Sequence, residues 1–438
     1  MTARNRELLN LIVVGVLGGL GFASVYIARQ SVVSAASLSY AAIFLGLYLV
    51  AHLVARQTVP YADPYLLPMA GLLTAVGVTE IYRINPNDAF RQGFWIVVGV
   101  VLFAATLFLL RREYRRLESY KYLFGLTAIG LLILPALPVL GTTVNGARLW
   151  IHVGSLQFQP GELAKIALIV FLAAYLREKR EVLAQGRLKD FGPLLVIWGG
   201  AMLVLVETND LGSALLYFGI FLAMLYVATN RLMYVASGIV LFLAGSAAVY
   251  EWGPRHVRER ITIWLHPWTE HKVYCPLTGH YSLRQNCESY QWVKSIYSVA
   301  NGSWGGTGFG KGTFDFVDAK GKTIPLIPDL NTDFIYSALA QELGLIGISA
   351  LLLVLMLFVV RGMKIALLAH DGFSKLAAAG LTFGFALQTF IIVGGILRLI
   401  PLTGITLPFV SYGGSSVVAN FVLLAGLLLI SNRANAPE

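Results

Sequence analysis

Apolar residues fill this chain in blocks of roughly 17 to 25 positions, the length at which an α-helix spans a hydrocarbon core. Polar and charged residues collect between the blocks. Twelve spans are predicted, near 8–28, 36–55, 65–82, 92–110, 120–140, 160–176, 192–207, 211–229, 232–250, 333–360, 375–396 and 411–431. The seventh and eighth are parted only by Glu207-Thr208-Asn209-Asp210. The run after Arg6 lacks a cleavage-site pattern and reads as a retained helix. One interval breaks the rhythm: residues 251–332 form a long polar, aromatic, Gly-rich loop, and loops of that length are functional or disordered. Trp264, Trp268, Tyr290, Trp292 and Tyr297 argue for order near a membrane interface. The loop ends in a proline-bearing run whose Thr332-Asp333 step opens a very apolar helix.

The pattern predicts an all-α polytopic membrane protein of about 12 transmembrane helices with one long extracytoplasmic loop. Composition agrees: of 438 residues, 57% are hydrophobic and 13% charged, about half the charge share of a soluble protein. The formal charge of +10 matters less than its placement. Arg4 and Arg6, Arg111 to Arg116, Arg177 to Lys189, Arg361 with Lys364, and Arg433 all fall on one side of a twelve-span chain. The positive-inside bias makes that side the cytoplasm, with both termini inside and the long loop outside. Cys275 and Cys287 sit in that loop, beyond the reducing cytosol. A disulfide there would contribute on the order of 3 kcal/mol; two free thiols are the alternative. Two cysteines without paired ligands nearby do not make a zinc site.

Several chemistries are excluded. The run from Gly305 to Lys311 approaches a phosphate-binding P-loop, but Gly312 stands where Ser or Thr would ligate magnesium, and no strand precedes it. Its glycines suit a mobile loop or a close backbone approach to a ligand. No HExxH, GxSxG or basic–aromatic nucleic-acid module is present.

Ionisable groups in or beside membrane spans are costly, and each is a functional candidate. Glu162 and Lys165 are i, i+3 neighbours at a helix start after Pro160, either an ion pair locking the bundle or an anion ligand held by its partner. Glu207 and Asp210 form a polar turn or a site. Arg255, Arg258 and Arg260 are a solvated face or a grip on phosphate. Arg398, among apolar neighbours, either snorkels or faces a polar cavity. Thr332 suits an N-cap, placing Asp333 at the positive end of the helix dipole, which would hold its carboxylate pKa down. A general base beside a bound anion is the other reading of Asp333. Glu342, deeper in that helix, pairs with another helix or stays protonated.

Ordered motifs then point to one family. They are Arg91-Gln92, Asn145-Gly-Ala-Arg148-Leu-Trp150, Gln159-Pro-Gly-Glu162-Leu-Ala-Lys165 and Asn209-Asp210-Leu-Gly-Ser-Ala. Asn301 through Gly310, Thr332-Asp333-Phe334 through Glu342-Leu-Gly, and Pro401 through Ser416 complete the series. Together they resemble the SEDS (shape, elongation, division and sporulation) proteins, on the RodA rather than the FtsW side, over about three-quarters of the chain from near Arg83 to Arg433. Gly161, Gly312, Ile392 and Arg398 depart from the family's usual residues. The resemblance implies a ten-helix core in residues 61–438, which leaves 1–60 as an added amino-terminal helix pair with no assigned role.

It also implies a peptidoglycan glycosyltransferase of the bacterial cytoplasmic membrane. The growing glycan strand carries an undecaprenyl diphosphate leaving group, and an incoming lipid II hydroxyl displaces it with inversion. The family's essential aspartate maps onto Asp333 as the base. Arg91, Arg148 and Lys165 are candidates to stabilise the departing diphosphate, with Glu162, Arg258, Arg260, Ser411 and Ser415 also expected to bind substrate. A divalent cation, Mg or Mn, is a candidate assistant. Apolar grooves would hold polyprenyl tails, the Gly-rich loop would border the glycan, and a class B penicillin-binding protein would be the partner. A lipid II flippase, a scaffold and a division-specific member are the rival readings.

Overall fold

The computed structural model describes residues 2–30, 35–137, 140–144, 147–153, 156–185, 192–252, 255–269, 272–275, 280–317 and 323–437. Its helices are α1 (Ala3–Gln30), α2 (Ala35–Thr58), α3 (Leu66–Ile84), α4 (Pro86–Leu110), α5 (Lys121–Ile133), α6 (Gly161–Ala184) and α7 (Gly192–Glu207). They continue with α8 (Leu211–Thr229), α9 (Leu232–Trp252), α10 (Arg255–Leu265), α11 (Tyr290–Asn301), α12 (Ile335–Leu368), α13 (Gly372–Ile396) and α14 (Gly414–Asn435). Each predicted span has a helix, while α10 and α11 lie within the long loop. By length and apolarity alone, seven helical stretches among the described residues suffice to cross a membrane. The others are shorter or, as in α3 and α6, carry ionisable side chains whose burial inside the bundle the packing must support.

Local chemistry sets the helix starts. Asn85 caps α4 by accepting from Asn87 N at 3.0 Å, with Pro86 in the first turn. Asp210 caps α8 through Ser213 N (2.9 Å), and Asp371 caps α13 through Ser374 N (3.0 Å). The centre of the bundle is α13 and α14, packed by close approaches at small residues. Gly380 faces Met224 and Ile169, and Gly362 faces Thr382. The Phe358 and Phe385 rings stack at 4.3 Å.

Both termini lie on one face. Arg4 donates to Asp63 O (3.2 Å), and Asp63 N donates to Ser431 Oγ (2.9 Å). Basic clusters share that face, with Arg361 on Asp63 at 2.6 Å and Arg115 3.9 Å from Asp371. Arg187 and Lys189 lie outside the described residues. The opposite face carries a small antiparallel sheet, β1 (Gly141–Val144), β2 (Ala147–Val153) and β3 (Leu156–Phe158). Two further strand pairs belong to the long loop, β4 (Val273–Cys275) with β5 (His280–Ser282) and β6 (Asp315–Val317) with β7 (Thr323–Pro325). A disulfide joins Cys275 to Cys287 there.

The Gly-rich run is docked on α12 and takes no part in lining the cavity described below. Helix α12 breaks at Gly344 (φ 65°, ψ −173°), and the run docks into the break. Leu345 N donates to Ser303 O (2.9 Å), Ile346 N to Trp304 O (3.1 Å) and Thr307 N to Gln341 O (3.0 Å). The contact needs glycine: a Cβ on Gly306 (φ 79°) would lie 2.1 Å from Glu342 O. Glu342 accepts from Gly310 N (2.6 Å) and Gly312 N (2.9 Å), and Arg83 holds the carbonyls of the same two glycines at 2.9 and 2.7 Å. Arg83 Nε of α3 also stands 3.5 Å from Glu342 Oε1 of α12, so Glu342 pairs across helices.

Candidate active site

Asp333 precedes Phe334, the N-cap of α12, and that cap has no side-chain hydrogen bond. The expectation that Thr332 caps the helix is thus corrected. Its hydroxyl donates back to Asp329 O (3.0 Å), because a turn with Asp329 at φ 56° ends the loop first. What holds the Asp333 backbone comes from other elements. Tyr412 N donates to Asn331 O (2.8 Å), and Ser411 Oγ donates to Thr332 O (2.7 Å) while accepting from Leu407 N (2.9 Å). Buried Gln92 steadies that strap from α4, donating to Ser411 O (3.1 Å) and accepting from Gly413 N (3.2 Å). Asn331 also donates to Asp88 (2.9 Å), whose carboxylate lies 3.9 Å from the Arg91 guanidinium. Gly404 (φ 74°) passes beside the carboxylate; a Cβ there would sit 3.6 Å from Asp333 Oδ2.

These elements surround a polar cavity of about 990 Å³. Asp333, Arg91, Glu162, Asp210 and Arg260 all line it, as do Trp95, Trp150 and Trp264. Five segments distant in sequence thus converge on one space. Burial raises the pKa of the half-buried Asp333 carboxyl to about 7, with Asp329 adding to the rise and Arg260 opposing it. The expected depression by the helix dipole does not prevail, since Asp333 lies outside the helical turns. Burial also raises Asp210, against the hydrogen bonds from Ser213. Asn209 and Asp210 therefore line the cavity, whereas Glu207 is exposed and lies outside its lining.

Other predicted residues support the wall rather than face the cavity. Lys165 is buried and donates to Glu162 (2.8 Å) and Gln388 (2.6 Å), and Gln388 donates onward to Thr406 O (3.0 Å). Both original readings of Glu162 and Lys165 are thereby divided: Lys165 locks the bundle, and Glu162 reaches the cavity. Arg148 donates to Leu137 O (3.2 Å), so its guanidinium secures the turn before β1. Ser415 Oγ accepts from Gln159 N at 2.6 Å, joining α14 to the start of α6. Arg258 lies outside the cavity lining and donates to Tyr250 O (2.6 Å) and Glu251 O, holding the last carbonyls of α9. Arg398 does not line the cavity; exposed, it donates to Trp264 O (3.0 Å) and Leu265 O (2.8 Å) at the end of α10. Asn145 lies outside the described residues, as does the side chain of Arg255.

Sequence reading missed Gln388 as the partner of Lys165. The available signal was a single amide in a strongly apolar helix. Among the described residues no three His, Cys, Asp or Glu side chains form a metal-ligand set. The described residues therefore supply no all-protein ligand set for a divalent cation.

A family description for the FtsW, RodA and SpoVE cell cycle proteins matches residues 64–436. The chain belongs to this family. Among its relatives, "Peptidoglycan glycosyltransferase RodA" of Mycobacterium leprae is 38% identical over 100% of this chain and 92% of that protein. "Probable peptidoglycan glycosyltransferase FtsW" of Geobacter metallireducens is 31% identical over 85% of this chain and 95% of its own. One solved family structure, described as "Structural coordination of polymerization and crosslinking by a peptidoglycan synthase complex", superposes with a TM-score of 0.69 at 26% identity, covering 86% of this chain and 99% of that one. The match to the family begins after α2, whereas the M. leprae relative matches the whole chain.

Proposed function

We propose that this membrane protein is a peptidoglycan glycosyltransferase that polymerises lipid II into glycan strands, of the RodA type. The observation that carries the reading is the Asp333 carboxyl, its pKa pushed up by burial to about 7, lining one polar cavity together with Arg91 and Arg260. A base with that pKa is partly ionised at neutral pH and basic enough to accept a hydroxyl proton. As the acceptor oxygen bonds the anomeric carbon, Asp333 takes its proton and the bond to the polyprenyl diphosphate breaks. Arg91 and Arg260 are placed to meet the negative charge that gathers on the leaving group. Glu162 and Asp210 lie on the same wall and suit hydrogen bonding to sugar hydroxyls. Lys165, Arg148, Ser411 and Ser415 position these groups.

The full-length similarity to RodA supports the shape-maintaining branch. The synthase-complex relative supports a transpeptidase partner of the class B penicillin-binding type. The distribution of basic residues supports cytoplasmic termini and an outward-facing cavity. Purified protein in detergent with labelled lipid II tests the activity, because polymer formation there needs no flipping. Wild type is expected to give glycan ladders on a gel, and Asp333→Asn to lose at least about a hundredfold in rate while remaining monodisperse. Ladders from Asp333→Asn at the wild-type rate would remove Asp333 as the base. Translocation of lipid II in vesicles without polymer would replace the enzyme by a flippase.

A further inference from the structure

The added amino-terminal pair builds a second space. An apolar groove of about 670 Å³ runs between α1 and α2 on one side and α3 and α4 on the other. Gly15, Gly18 and Phe22 of α1, Phe44 of α2, Tyr82 of α3 and Gly93 of α4 are among the residues that shape it. Gly15 and Gly18 let α1 close against Leu45 of α2 and Ala75 of α3, while nothing lies within 4 Å of where a Gly93 Cβ would stand. Along α4 the groove reaches from Pro86 to Val97, a rise of about 16 Å, close to half of a roughly 30 Å hydrocarbon core. Arg91 lines this groove and the polar cavity alike. A single cation thus stands where an apolar slot one leaflet deep meets the site of glycosyl transfer.

The groove is held open by attachments at both ends of the pair. At the terminal face, Glu7 bridges Arg4 (2.5 Å) and His52 (2.6 Å), all three buried, and Arg4 reaches Asp63 O. At the cavity face, Ser24 Oγ donates to Phe309 O (3.3 Å), and the Phe22 and Tyr82 rings meet at 4.8 Å. A gap between loosely associated helices would lack these ties.

We propose that the pair forms a binding groove for the polyprenyl chain of the lipid-linked substrate, with the attached phosphate at Arg91. The proposal rests on the glycosyltransferase reading, and it gives the first two helices a task in substrate selection. Two features favour this occupant over bulk phospholipid: the groove ends at a cation, and that same cation lines the polar cavity. Its volume falls within the usual range for a specific ligand site, roughly 300–1,000 Å³.

The test uses the full-length protein with two readouts. A benzophenone amino acid at Val97, which is 44% exposed and lines the groove, is photolysed with labelled lipid II. Undecaprenyl phosphate is expected to displace the label, and phosphatidylglycerol at the same mole fraction to leave it. Equal competition by phosphatidylglycerol, or no labelling, overturns the groove. Separately, Gly93→Trp fills the slot, while Val101→Trp adds the same bulk to the lipid-facing side of α4 outside it. Gly93→Trp is expected to raise KM for the long-chain substrate about tenfold relative to a short-prenyl analogue, and Val101→Trp to leave that ratio unchanged. An unchanged ratio in Gly93→Trp also overturns the groove. Labelling does not depend on turnover, so a wild-type protein that binds the chain but makes no polymer removes the glycosyltransferase reading alone.

Discussion

Opposed influences meet at the Asp333 carboxyl, where burial and Asp329 raise the pKa to about 7 and Arg260 works against them. The acid limb of kcat/KM is therefore expected with an apparent pKa near 7. Arg260→Ala should move that limb to higher pH and, if Arg260 meets the leaving group as proposed, lower the rate on the order of a hundredfold. A limb near pH 4 in wild type would show that the carboxyl is solvated. Stability gives an independent check. The folded pKa lies above the ordinary carboxylate value, so the native state binds the extra proton between the two. The destabilisation from the ionised form is absent below about pH 4, grows through the interval and is complete above about pH 7. Asp333→Asn should accordingly unfold at a higher temperature than wild type at pH 8, with the advantage shrinking as pH falls to 5. Thermal unfolding at the two pH values measures this, and a less stable Asn variant at pH 8 would contradict it.

At the scale of elements, α12 depends on a loop that precedes it. The break at Gly344 frees backbone groups that the Gly302–Gly308 segment then satisfies, so an apolar helix and a Gly-rich loop form one unit. Gly344 has φ 65°, and a Cβ there would stand 2.2 Å from Gly306 N. Gly344→Ala is expected to cost at least roughly 1–3 kcal/mol, from the left-handed backbone and from expulsion of the loop. A scanning-fluorimetry midpoint equal to that of wild type would show that the loop is not docked in this way. The density of glycine was legible in the sequence, but its purpose was not. Glycine permits both motion and close backbone contact, and only the partner backbone distinguishes them. The same holds for Arg258 and Arg398, whose charge suggested phosphate or headgroups, whereas each holds the carbonyls of a helix end.

For the whole molecule, the alternation of helices puts both termini and the basic clusters on one face and the cavity on the other. Reporter fusions after residue 436 should read as cytoplasmic, and cysteines introduced at exposed Tyr281 or Trp304 should react with an impermeant maleimide added to intact cells. Labelling only after lysis would invert the arrangement. Hydrophobic block lengths by themselves determined the helical class and the order of spans, and charge placement grouped the basic clusters with the termini, because lipid acts on local composition. The ordered motifs in the chain likewise marked Asp333. Which cations face it was decided by tertiary structure alone. Arg260 and Arg91 line the cavity, while Arg148, Lys165 and Arg258 turn to partners in the wall. Sequence fixes a side chain's charge and local spacing; the field at a carboxyl depends on burial and on distances across segments hundreds of residues apart, which only packing sets.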